Sequence, residues 1–420
     1  MKHQPCDRRH VRVPRRGDGP AVVIVGTGVA GITAAETLRA NGFDGTITLF
    51  GDEPHLPYRR TALSKGILDG DLSDDRIRLR PSGYWDELGI QIIPSTRVVA
   101  VEPRARLIRL DDEFELGYHA LLLATGGRAR QLSTGTGDLL TLRTRADVDR
   151  IRRETASRPV VIVGGGLLGL EVAAALANAP TAGGLDITVV EEAPTLMPRV
   201  VPAEFGEAIA VLHRDRGIRI LTGTSVASAT PDAATLSDGT RLEGAVIAAV
   251  GMEPDVDLAI GAGLAVGPAG ILVDGQLRTS EPGIYAAGDV AARAHPLTGA
   301  PMRAEQWLTA TEHGRLAAMT IAADLGTPIP APAPIPRVPL AWSMQFSANI
   351  QMVGWPDLAN GFTMEVHTAD GSGTCADGFA ATVRCFDDDR LVGAVCLGRS
   401  GTGRALRAEI EATLESVSAA

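Results

Sequence analysis

At 420 residues the chain is long for a single hydrophobic core, so two or three domains are expected. Hydrophobic residues make up 45% and charged residues 21%, an ordinary globular balance, and the net charge of −10 excludes the basic surface by which proteins hold nucleic acid. The four cysteines, Cys6, Cys375, Cys385 and Cys396, form no CxxC pair, which excludes zinc spacing and a disulfide scaffold and points to a reducing cytoplasm.

Residues 1–20 are basic and polar and lack the apolar segment of a signal peptide; they read as a disordered tail. Ala21–Val25 is a β-branched run, a strand, followed by Gly26-Thr27-Gly28-Val29-Ala30-Gly31. A helical pattern continues through Ile32, Ala35 and Leu38 and stops at Asn41-Gly42. A second strand, Thr46–Phe50, ends at Gly51-Asp52-Glu53. Strands are next expected at Arg97–Val101, Leu107–Leu110 and Ala120–Leu123, the last leading into Ala124-Thr125-Gly126-Gly127. Val160–Val163 then repeats the opening device. It leads into Gly164-Gly165-Gly166-Leu167-Leu168-Gly169, a helix through Val172 and Leu176, and a second strand, Ile187–Val190, ending at Glu191-Glu192. Val160 to Pro180 is apolar enough to mimic a membrane span, but its glycines and Glu171 divide it into strand, turn and helix. Gly283-Ile284-Tyr285-Ala286-Ala287-Gly288-Asp289 is a short strand ending in Gly-Asp. Residues 326–339 form a proline-rich linker, and Trp342 to Ala420 reads as a smaller α+β unit closed by a helix over Arg404–Val417.

Each GxGxxG turn has a physical purpose. The first glycine makes the tight turn, the second lets backbone approach a pyrophosphate, and the third lets the helix pack on the strand. The helix N-terminus receives the negative charge. Each copy also has an acid roughly 20 residues past its last glycine, where a carboxylate accepts from ribose hydroxyls and repels a 2′-phosphate. Glu191, with Glu192 beside it, therefore favours NADH over NADPH, and Asp52 or Glu53 does the same for an adenosine ribose in the first unit. The fold class is α/β, with two Rossmann-like dinucleotide-binding domains and a small C-terminal α+β domain. One further oddity is chemical: nearly all cations are arginine, and the only lysines are Lys2 and Lys65.

Four segments carry a family resemblance. Pro57-Tyr58-Arg59-Arg60-Thr61-Ala62-Leu63-Ser64-Lys65 resembles a PYxRPPLSK motif and Ala124-Thr125-Gly126-Gly127-Arg128 an ATGxR motif. Tyr285-Ala286-Ala287-Gly288-Asp289 resembles YAxGD, and Arg303-Ala304-Glu305-Gln306-Trp307 resembles RxExW. The chain is similar, from about Val22 to its end, to the oxygenase-coupled NADH-dependent ferredoxin reductases of the glutathione-reductase superfamily. The Leu-Ser-Lys and RxExW pieces discriminate; the others are shared by many flavoproteins. The resemblance implies FAD in a discontinuous domain of residues 21–127 and 263–328, NADH in residues 128–262, and a C-terminal domain over residues 329–420. It implies Lys65 near flavin N5, paired with Glu171, so that a fixed positive charge stabilises the reduced flavin. It further implies Asp289 on the ribityl chain, Trp307 over the flavin, and Arg60 and Arg128 facing the FAD phosphates or the flavin. Val98 and Gln306 complete the FAD set, and Gly251 the NADH set.

By that resemblance a hydride passes from NADH to FAD, and electrons leave singly to a [2Fe–2S] ferredoxin serving a cytochrome P450 or a Rieske oxygenase. The protein is expected to be a monomer or homodimer, away from membranes and without a metal. The chain departs from the pattern in two places. The double proline is Thr61-Ala62, which frees a donor and loosens a turn. A PWFWSDQ-like segment reads Pro339-Leu340-Ala341-Trp342-Ser343-Met344-Gln345, with aromatics and an acid lost. An NADH oxidase or quinone-type reductase, or a redox-sensing flavoprotein resembling apoptosis-inducing factor, are the alternatives. Disulfide reductase chemistry is excluded, because no cysteine lies between Cys6 and Cys375.

Overall fold

A computed structural model of the chain describes residues 19–179, 184–330, 335–346, 348–367, 380–398 and 402–418. Cys6, Cys375, residues 331–334 of the proline-rich stretch and nearly all of the expected basic tail lie outside them. The chain gathers into two compact units. One holds the chain up to Arg59 with Ile77–Arg128 and Pro254–Arg337; the other holds Arg60–Arg76, Ala129–Glu253 and the chain from Val338 onward.

In the first unit Ala21–Val25 is buried at every residue, as suits a strand covered on both faces. It is the central strand of a parallel sheet in the order Ile284–Ala286, Ala120–Leu123, Ala21–Val25, Thr46–Phe50, Ile90–Ile93. Successive side chains take opposite faces. Val22, Ile24 and Leu122 share a core with the helices Val29–Ala40 and Trp307–Asp324. Val23, Val25, Leu121 and Leu123 share the other core with an antiparallel meander of Val98–Glu102, Leu107–Leu110 and Glu115–Gly117. Ile24, Leu121 and Leu122 are fully enclosed, and truncating any one to alanine would cost about 2–5 kcal/mol.

Val160–Val163 heads the second copy of this plan. Its parallel sheet runs Arg219–Leu221, Ile187–Val190, Val160–Val163, Ala245–Ala248. A meander of Val226–Thr230, Ala233–Leu236 and Arg241–Glu243 covers one face, sharing a core with Val161, Val163 and Val190. The apolar segment that mimics a membrane span is thus a strand, a turn and the helix Leu167–Asn178. Among the described residues no helix is long and apolar enough to cross a membrane. The C-terminal part is an antiparallel sheet in the order Leu340–Gln345, Ala348–Gly354, Arg390–Leu397, Ala380–Asp387, Gly361–His367, with the helix Thr402–Ser418.

The units do not follow the ranges expected of the sequence at every boundary. Arg60–Arg76 belongs to the second unit, where two arginines of the helix Arg145–Thr155 hold it, one through carbonyls and one through a carboxylate. Arg152 donates to the carbonyls of Leu68 and Ile67, and Arg145 Nε lies 2.5 Å from Asp74 Oδ1. Pro254–Ala262 belongs to the first unit, because Val256, Leu258, Ala259 and Ala262 pack on the meander core.

Candidate cofactor-binding site

Both glycine turns follow one steric plan. Gly26 and Gly164 have φ of +113° and +112°, a region that glycine alone enters freely. An added Cβ would lie 2.1 Å from the Ala124 carbonyl oxygen at Gly26, and 2.4 Å from that of Ala249 at Gly164. The same hydrogen bonds frame both turns. Gly26 N–H donates to Phe50 and Gly164 N–H to Val190, while Ala124 N–H donates to Val25 and Ala249 N–H to Val163, all at 2.8 Å. At Gly31 and Gly169 a Cβ would come within 2.1 and 2.0 Å of the first glycine's carbonyl oxygen, so only a bare α-carbon lets helix meet strand.

The middle glycines are different. Gly28 and Gly166 have ordinary φ of −70° and −80° and begin their helices without a side-chain cap. A Cβ on either would meet nothing within 4 Å among the described residues. Neither strain nor protein packing asks for glycine there; a pyrophosphate approaching the helix N-terminus does. The residues present therefore fit a dinucleotide at each turn. Val29 and Ala30 open one helix, and Leu167 and Leu168 open the other, where Leu168 exposes its apolar side chain.

The turns diverge at the residue after the second strand, which is Glu191 in one unit and Gly51 in the other. Glu191 accepts from Gly165 N–H at 2.7 Å and from Ala193 N–H at 2.9 Å. Its Cβ fills the space that a side chain at Gly165 would need. In the first unit the sizes are exchanged: Thr27 carries the side chain, and a Cβ at Gly51 would lie 2.6 Å from its hydroxyl oxygen. The acids stand one and two residues farther on. Asp52 is exposed, and Glu53 accepts from the Tyr58 hydroxyl at 2.6 Å. Glu192 is exposed.

Two other candidate segments of the first unit, at Ala124 and at Gly288, lie against its turn. A Cβ at Gly288 would stand 3.0 Å from that of Ala30, so the turn carrying half-buried Asp289 lies against the opening of the first helix. His313 Nδ1 accepts from Gly288 N–H at 3.3 Å. Burial, with Arg293 adding, lowers its pKa to about 3, so the ring is neutral and stays an acceptor. Thr125 donates to the Asp255 carbonyl at 2.8 Å, and the Gly126 carbonyl accepts from Asp255 N–H at 3.0 Å. Arg128 grips Asp257 with two nitrogens, at 3.0 and 3.1 Å, and that bond holds Asp257 below the usual carboxylate range. Burial pushes Asp255 up. Val98 commits its side chain to the meander core. Gln306 precedes the helix that half-buried Trp307 opens, and accepts from the Thr309 hydroxyl at 3.3 Å.

In the second unit Leu63–Ile67 forms a wide π-helical turn, closed by Leu68 N–H donating to Leu63 at 3.1 Å. It brings two adjacent side chains to one carboxylate. Lys65 Nζ lies 2.9 Å from both oxygens of buried Glu171, and the Ser64 hydroxyl donates to Oε2 at 2.5 Å. The Ser343 hydroxyl donates to Oε1 at 2.6 Å. Lys65 also donates to the Thr61 carbonyl at 3.3 Å, at the place where the family pattern has proline. Gly251 has φ +100° and accepts from Arg130 N–H at 3.0 Å, and Arg60 Nη1 donates to the Arg143 carbonyl at 3.0 Å.

Sequence reasoning missed Ser64, Ser343, Gln345, His213 and His313. The period-two spacing of Ser343 and Gln345 puts them on one strand face, which could have flagged them; the histidines carry no such signal.

A family model described as pyridine nucleotide-disulphide oxidoreductase matches residues 20–314. Rhodocoxin reductase of Rhodococcus erythropolis is 34% identical over 383 residues, covering 89% of this chain and 85% of the relative. The ferredoxin reductase component of chlorobenzene dioxygenase from Cupriavidus sp. (strain PS12) is 36% identical over 376 residues, covering 87% and 86%. Among solved structures, the covalent putidaredoxin reductase–putidaredoxin complex matches with a TM-score of 0.84 at 32% identity, covering 94% of each chain.

Proposed function

The chain belongs to the pyridine nucleotide-disulphide oxidoreductase family, and we propose that it is an FAD-dependent NADH:ferredoxin reductase. It passes electrons to a [2Fe–2S] ferredoxin that serves a cytochrome P450 or Rieske oxygenase. The observation that carries the reading is the duplicated turn with an open middle glycine, at Gly28 and Gly166. Two relatives are named as a rhodocoxin reductase and as the ferredoxin reductase component of a chlorobenzene dioxygenase, which supports the reading. No cysteine lies between Cys6 and Cys375, so the family's disulfide chemistry is not open to this chain. The buried free thiols of Cys385 and Cys396 suit the cytoplasm.

The two cofactors, when bound, supply the hydride donor and the centre that releases electrons one at a time. The protein's residues bind and orient. Backbone of Gly26, Gly28 and Gly31, with Asp289 and one of Asp52 or Glu53, holds FAD. Backbone of Gly164, Gly166 and Gly169 holds NADH, with Glu191 on its ribose. A 2′-phosphate there would meet a carboxylate already fixed by two N–H donors. Lys65, held by Glu171, is the fixed positive charge that favours the reduced flavin. The alignment of the two cofactors contributes more to rate than any one side chain.

Steady-state assays with a supplied [2Fe–2S] ferredoxin and cytochrome c test the reading. Cytochrome reduction that depends on both NADH and ferredoxin is expected. NADH oxidation by oxygen at the same rate without a carrier would overturn it in favour of an oxidase.

A further inference from the structure

The Lys65–Glu171 pair is tied to a second buried group. Ser343 and Gln345 sit on one face of the strand Leu340–Gln345, fully enclosed, while Trp342 and Met344 point the other way and are exposed. Of the departures from the family pattern, Leu340 and Met344 lie on the opposite face and Ala341 shares the inner one, where Ser343 and Gln345 themselves keep the pattern's residues. We propose that His213, Gln345 and Ser343 form a one-way chain of hydrogen-bond donors that holds Glu171 as an anion against Lys65, with His213 and Gln345 as positioning residues. Its consequence for electron transfer rests on the reading of Lys65 given above.

The direction follows from which atoms can donate. The Ser343 hydroxyl has one proton and at 2.6 Å gives it to Glu171 Oε1, leaving its lone pairs for the Gln345 amide nitrogen at 3.4 Å. That nitrogen also lies 3.9 Å from the Met197 sulfur, a weak second acceptor that fits the same orientation of the amide. Gln345 Oε1 can only accept, so His213 Nε2, at 3.1 Å, must carry the proton. His213 is fully buried, its Nδ1 has no partner among the described residues, and its ring packs edge-on to Phe346 at 5.2 Å. Burial lowers the imidazole pKa to about 4, which keeps one proton on the ring at neutral pH. Ser64 and Lys65 donate to the same carboxylate from the other side. His213, Gln345 and Ser343 thus each donate in the direction of Glu171, and all three are shielded from bulk solvent. Reversing the chain would require a proton on Glu171 and two amide hydrogens facing a hydroxyl hydrogen.

Lys65 is one of two lysines, so holoprotein carrying Lys2→Arg and grown on 15N-lysine shows a single side-chain signal. We expect a held, slowly exchanging Lys65 ammonium, and an Nε2–H tautomer for His213 in long-range 1H–15N spectra. His213→Leu, Gln345→Leu and the smaller Ser343→Ala each speed ammonium exchange by about fivefold or more, as loss of one buried hydrogen bond predicts. His213→Gln, whose amide nitrogen reaches the Nε2 position, restores slow exchange. Equal exchange in all variants, or a proton on Nδ1, would overturn the chain whatever Lys65 does. Unchanged flavin reduction in Lys65→Ala would instead end the functional reading and leave the chain standing.

Discussion

The ammonium of Lys65 and the carboxylate of Glu171, 106 positions apart in sequence, meet at 2.9 Å, with both carboxylate oxygens in reach. Two serine hydroxyls complete the shell, so the charge on Glu171 is both buried and satisfied. Removing one partner of such a pair leaves the other uncompensated. Lys65→Ala is expected to cost about 2 kcal/mol of stability, below the full penalty for a buried pair because both serines still donate. It is also expected to slow flavin reduction or shift the flavin potential. Stopped-flow reduction and a redox titration check this, and wild-type values in both would reject the role of Lys65.

The glycines separate folding from binding. Gly28→Ala adds a Cβ into open space at an ordinary φ, so the apoprotein should keep its melting temperature and lose affinity for FAD. Gly166→Ala should keep FAD and raise KM for NADH. Gly26→Ala drives a Cβ onto the Ala124 carbonyl and should destabilise the apoprotein itself. Fluorescence titration and thermal unfolding of all three would show it; equal FAD affinity in wild type and Gly28→Ala would refute the assignment of the first turn.

Glu191 gives a third test. Wild-type kcat/KM is expected to favour NADH over NADPH by about a hundredfold, since a fixed carboxylate must be desolvated against a phosphate. Glu191→Ala should narrow that ratio and lower stability by about 1–2 kcal/mol through its two lost N–H bonds. Comparable efficiency with both nucleotides in the wild type would remove Glu191 from the explanation.

The parts of this site that were legible in the sequence are those set by local sterics. Gly26, Gly31, Gly164 and Gly169 are glycines because a Cβ would strike backbone a few residues away or on the next strand, and such demands leave a spaced signature. Composition alone marked Lys65 as unusual, but its pairing with Glu171 was reachable only through the resemblance, because a π-helical turn and a helix from distant parts of the chain meet there. His313 and His213 could not be seen at all. Each is defined by burial and by one tertiary partner, Gly288 N–H for one and Gln345 for the other, and neither condition has a sequence period. The exchange of Thr27 with Gly51 for Gly165 with Glu191 was also hidden, since it relates residues on paired strands across two copies.

The two buried histidines predict a pH dependence with a definite sign. Both are less basic folded than unfolded, so below the ordinary histidine pKa of 6.5 the unfolded chain binds more protons. Stability is complete above pH 6.5 and falls as pH drops, towards about 4 for His213 and about 3 for His313. The slope approaches about 1.4 kcal/mol per pH unit for each histidine. Urea unfolding at pH 7.5, 6 and 5 measures it, and His213→Gln should remove one histidine's share. A flat profile between pH 6.5 and 5 would contradict the buried, neutral state of both rings.

The central claim is that two nucleotide sites serve one electron path ending at a ferredoxin. Anaerobic double-mixing tests it most directly: NADH is added to the FAD-loaded protein, then excess oxidised [2Fe–2S] ferredoxin, and both absorbances are followed. The account predicts flavin bleaching by NADH, then recovery of the oxidised flavin with two ferredoxins reduced per NADH consumed. A flavin that NADH does not bleach, or one that bleaches and stays reduced in the presence of ferredoxin, would contradict it.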